Sequence, residues 1–179
     1  MKRAMALFGV GVLALVVEGA VATIVPPPFC PDFSLLVVIA IALHWQRAAS
    51  GLLLAFVLGY AADLVSGSLL GQHALLRLFV FVGVRITSRR LNFRGGLPLA
   101  AFAGAVILIY GVVLLAVTGF FAGPAELHWS WLVDQLVHAL MGALFAPMTL
   151  ACVTWVSTWL DEDEGARRTL ELTPRGRVT

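Results

Sequence analysis

Six side chains able to ionise, bind a charge or pass a proton stand inside or at the edges of apolar runs: Glu18, Asp63, His73, Arg77, Asp134 and His138. A charged group at the centre of a membrane helix costs roughly 2.5–3.5 kcal/mol on insertion scales, so such residues are functional suspects by default. His73 and Arg77 are four residues apart, as are Asp134 and His138, so each pair shares one helical face. Two chemistries fit. The six could converge on a polar pocket that binds a ligand, or pairs such as Asp63–Arg77 could hold neighbouring helices in register. Signatures of known reactions are absent: there is no G-x-S-x-G elbow, no H-E-x-x-H helix and no phosphate loop. His44, His73, His128 and His138 are spread widely, without metal-ligand spacing. The expectation is a chain that is not an enzyme and uses no metal or cofactor.

The elements that position these residues follow from composition. Of the 179 residues, 60% are hydrophobic and 12% charged, where a soluble domain is about a quarter charged. Lipid is the natural solvent, and the long uniform runs lack the period-2 alternation of a membrane barrel. The sequence predicts an all-α, polytopic transmembrane bundle of six helices over residues 1–160, followed by a polar tail at 161–179. The spans are Ala4–Val25, Phe33–Trp45, Ala48–Val65, Gln72–Ser88, Leu97–Phe121 and Ser130–Leu160, the last with a kink expected at Pro147. The first run is long for a signal peptide and is interrupted by Glu18, so it reads as a retained helix. In the tail, Asp163 with Arg167 and Glu164 with Arg168 are i,i+4 pairs. Two extra helical turns and a solvated tail are both open readings there.

Charge distribution orients the bundle. With the N-terminus in the cytoplasm and six alternating spans, eleven of the twelve basic residues fall inside, Arg77 being the exception within a helix. The outer loops Pro26–Asp32, Ser66–Gly71 and Ala122–Trp129 contain no Lys or Arg. Both termini are therefore expected in the cytoplasm, and Cys30 and Cys152 on opposite sides. The basic loop Arg85–Arg94 would meet anionic headgroups rather than nucleic acid. By this topology Glu18, Asp63, His73, Arg77, Asp134 and His138 all lie in the outer half of the membrane. On the third helix Gly51, Ala55 and Gly59 recur every four residues and lead to Asp63, a small-residue face suited to close helix packing.

One stretch is more specific. Gly59-Tyr60-Ala61-Ala62-Asp63, the small-residue turn Ser66-Gly67-Ser68, and Gly71-Gln72-His73-Ala74-Leu75 resemble the central motif of the MreD family of rod-shape-determining proteins. Pro31-Asp32-Phe33-Ser34-Leu35-Leu36 is similar to that family's approach to its second helix. The resemblance implies motif roles for Gly59, Asp63, Gly67, Gly71 and His73, with Arg77 a departure. It implies a component of the bacterial inner membrane that supports cell shape and peptidoglycan synthesis within the elongation machinery. Its partners would be the single-span protein MreC and, through it, the polymerase RodA with its transpeptidase and the filament MreB, with no nucleic acid and no small-molecule substrate. The family also looks like the substrate-binding components of energy-coupling-factor vitamin transporters. A vitamin-binding transport component is therefore the alternative reading.

Overall fold

The computed structural model describes residues 2–26, 28–44, 48–67, 69–90, 96–122 and 129–172; the side chains of 2, 3, 122, 129 and 161–172 lie outside that description. Six helices follow one another: α1 (Lys2–Ala22), α2 (Phe33–His44), α3 (Ala48–Ser66), α4 (Gln72–Ser88), α5 (Gly96–Ala122) and α6 (Trp129–Leu172). Among the described residues there is no strand. Four helices, α1, α3, α5 and α6, are long and apolar enough to cross a membrane. Arg47, Arg94, His128, Arg175 and Arg177, which enter the charge argument, fall outside the described residues.

The short helix is the central one. With 12 residues, α2 rises only about 18 Å, against about 30 Å of hydrocarbon. It has no need to reach across, because its solvent is protein. Every residue from Ser34 to Ala42 is buried, and α2 packs against α1, α3, α4 and α6. Phe33 meets Phe145 of α6 edge-on, with ring centroids 5.5 Å apart. This explains why α2 is apolar on all sides.

α3 and α4 form a tight hairpin. Gly67 and Gly71 take φ of 64° and 92°, a region where glycine alone avoids a Cβ clash. Gly51, Ala55, Gly59 and Asp63 are all buried along α3. The helices come closest at Gly59: a Cβ there would lie 2.5 Å from the Ala74 Cα and 2.7 Å from the His73 carbonyl oxygen. α5 and α6 pair in the same manner, with Gly104 facing Ala143, and Gly111 facing Gln135. α6 runs uninterrupted through Pro147 to Leu172. The pairs Asp163–Arg167 and Glu164–Arg168 lie outside the described side chains. Large apolar residues, among them Leu13, Phe79, Ile109 and Leu144, are exposed around the bundle, as a lipid-facing surface requires.

Candidate functional site

The polar residues gather where two helices begin. Asp32 precedes α2, and its Oδ1 accepts the Leu35 N–H at 2.6 Å and the Ser34 hydroxyl at 2.8 Å. Its carbonyl accepts the Leu36 N–H at 3.1 Å. This is N-cap geometry, in which a short acidic side chain satisfies donors of the first turn that have no helical acceptor. Glu18 of α1 reaches the same turn: Oε2 accepts the Ser34 N–H at 3.3 Å and lies 3.0 Å from the Ser34 hydroxyl. A hydroxyl has one proton, so the two carboxylates compete for it.

Arg77 of α4 balances this charge. Its Nη2 donates to Ser34 Oγ at 2.6 Å and lies 3.3 and 3.4 Å from the two carboxylate oxygens of Asp32. Nη1 donates to the Leu58 carbonyl at 3.1 Å. Arg77 is 1% exposed, so the pair with Asp32 avoids the penalty of an uncompensated buried cation. Its Nε is buried and has no hydrogen-bond partner among the described residues. Burial alone would raise the Asp32 carboxyl, but the Arg77 guanidinium, the Leu35 N–H and the Ser34 hydroxyl outweigh it and hold Asp32 below the ordinary carboxylate range.

Asp63 does different work. It is 1% exposed; its Oδ1 accepts the His73 N–H at 2.8 Å, and its Oδ2 the Gly71 and Ala74 N–H groups at 3.0 and 3.2 Å. The N-cap residue of α4, Gly71, has no side chain to do this. Asp63 caps α4 from the neighbouring helix, where a negative charge also faces the positive end of the helix dipole. The register pair expected between Asp63 and Arg77 is thus replaced. The turn through Gly67 and Gly71 folds Asp63 onto the first turn of α4, while Arg77, one turn deeper, reaches across to Asp32. Around this core, His73 Nδ1 bonds the Tyr110 hydroxyl at 2.5 Å, and Gln72 donates to Thr118 Oγ1 at 2.6 Å.

Glu18, Asp32, Ser66, His73 and Arg77 line a cavity of about 160 Å³, where ligand pockets run from about 300 to 1,000 Å³. Of the six residues singled out by type, the fold brings Glu18, His73 and Arg77 to this cavity. Asp63 is sealed behind them. His138 is half-buried on α6 and does not line the cavity. Asp134 is exposed and does not line the cavity. The face of α6 turned to α5 carries Gln135, Ala139 and Ala143, which turns Asp134 outward. Among the described residues no group of three His, Cys, Asp or Glu could hold a metal ion.

Asp32 and Ser34 stand in the sequence only as part of a family-like motif, without a site role, and Tyr110 drew no notice. Asp-Phe-Ser at the head of an apolar run is an N-cap pattern and was the available signal for the first two. For Tyr110 the signal was a phenol in the middle of an otherwise apolar span, where its hydroxyl needs a partner.

The family model described as "rod shape-determining protein MreD" matches residues 4–155. Comparison with curated proteins and with solved structures returned no match. The matched segment takes in both capped helices and the hairpin between α3 and α4, and the chain belongs to the MreD family.

Proposed function

We propose that this rod-shape-determining membrane protein of the MreD family acts as a non-enzymatic scaffold in the bacterial inner membrane. It packs against the transmembrane span of MreC. Through MreC it connects the RodA–transpeptidase synthase to MreB filaments, and so supports lateral peptidoglycan synthesis. One observation carries the reading: Ser34, Asp32, Glu18 and Arg77 tie α1, α2 and α4 together through hydrogen bonds that leave only a small cavity. Polar groups committed to fixing helix positions make a rigid body with apolar outer faces, which is what lateral assembly needs. A vitamin carrier would instead need a polar pocket of ligand size. The absence of Lys and Arg from the loops joining α1 to α2 and α3 to α4 supports placing that end outside and both termini in the cytoplasm.

The test is gentle solubilisation from native membranes followed by identification of what is retained. MreC with elongation proteins is the expected result. Recovery of an ATPase pair with a bound vitamin, and no elongation protein, would replace the scaffold with the transport reading. A reporter fused to the C-terminus should be active only in the cytoplasm.

A further inference from the structure

α4 packs closely on α3 but parts from α5 along an apolar groove of about 460 Å³. On α4 the groove runs from Leu76 to Thr87, a rise of about 16 Å. Its floor is opened by small residues: Gly83 on α4 and Ala105 on α5 both line it. Phe79, Ile109 and Val113 stand exposed at its rims.

Two cations follow the last α4 residue of the lining. The positions of α4 that line it include 76, 80, 83 and 87, alternating steps of four and three along one face. The next step is Arg90. The Arg90 N–H bonds the Thr87 carbonyl at 3.0 Å, so the chain continues its turn past Thr87, the last α4 residue of the lining. Arg89 and Arg90 are both exposed there.

We infer that the α4–α5 groove binds one anionic phospholipid, an acyl chain lying along Gly83 and the phosphate meeting Arg89 and Arg90. The argument is charge complementarity joined to shape. A narrow apolar channel of uniform lining suits a hydrocarbon chain, and two cations at its mouth select an anionic headgroup over a zwitterionic one. The site is separate from the polar cavity near Arg77 and does not depend on the scaffold reading.

The test uses the whole chain in nanodiscs of equal phosphatidylglycerol and phosphatidylethanolamine, with retained lipids counted by native mass spectrometry. The wild type is expected to hold one phosphatidylglycerol in roughly tenfold preference over phosphatidylethanolamine. A Cβ at Gly83 meets nothing within 4 Å, so Gly83→Leu is expected to fold, fill the channel and lose the bound lipid. The double variant Arg89→Gln/Arg90→Gln should keep a lipid but lose the preference. Equal retention of both lipids by the wild type, or undiminished retention by Gly83→Leu, would overturn the proposal. So would a Gly83→Cys variant that cross-links to another protein's helix in native membranes while the purified chain retains no lipid, since the groove would then belong to a partner helix.

Discussion

Two helices of this bundle begin inside the protein, and each is capped by a carboxylate. At α4 the cap is Asp63 alone, with three backbone N–H groups between 2.8 and 3.2 Å. At α2 it is Asp32 with Glu18 and Ser34, and a guanidinium is drawn in from α4. The first is a closed local device that joins neighbours in sequence. The second is a network over three helices, bordering a cavity. The same physical need, donors without helical acceptors in a medium without water, thus has a short-range and a long-range answer. The long-range one has its carboxyl groups and its guanidinium in the cavity lining, whereas Asp63 does not line the cavity.

The contrast can be broken at several points. The largest effect is expected at Arg77. Arg77→Met leaves the half-buried carboxyl groups of Asp32 and Glu18 without their cation and should destabilise by about 3–5 kcal/mol, measured by reversible unfolding in mixed micelles. Combining it with Asp32→Asn should recover part of that loss, because the two residues share one interaction. A fully additive pair would mean that the network is not coupled. Asp63→Ala comes next, at about 2–4 kcal/mol, since it strips the acceptor from three α4 donors. It should fray α4 alone, visible as faster hydrogen exchange at His73 and Ala74 with α2 unchanged. Asp63→Asn should weaken the cap in part, and full rescue of rod shape by that variant would count against any role of the charge.

Gly59→Ala tests the hairpin rather than its cap. The new Cβ meets backbone, which cannot rotate away, so about 1–3 kcal/mol is expected, read from the same unfolding assay. Tyr110→Phe removes the hydroxyl bonded to His73 and should cost about 1 kcal/mol. The smallest effect belongs to Asp134→Asn, within about 0.5 kcal/mol because the side chain is exposed. A large loss there would return Asp134 to the polar site and spoil the contrast.

What the sequence could show, and what it could not, divides along the same line. The bounds of the helix Gln72–Ser88 and the ladder Gly51, Ala55, Gly59, Asp63 were legible because they follow from local pattern and spacing within one helix. The glycines of the α3–α4 turn were legible as a motif, and their positive φ supplies the reason. The partner of Arg77 was not legible. Asp63 is nearer in sequence, and nothing in its type reveals that backbone donors consume its carboxylate. The central place of α2 was hidden for a different reason: a helix apolar all round suits lipid as well as protein. Which face of α6 turns inward depends on how Gln135 and Ala139 meet α5, so the exposure of Asp134 followed from packing and not from its spacing to His138.

The position of α2 also bears on how the protein is made. A 12-residue helix is too short to hold itself across a bilayer during synthesis, and its walls include α6, which follows it by four helices in the chain. The second helix must wait, partly uncovered, for the sixth. Covering α2 therefore takes a closing step rather than helix-by-helix insertion, and a chain cut short before α6 should expose this apolar segment to membrane quality control.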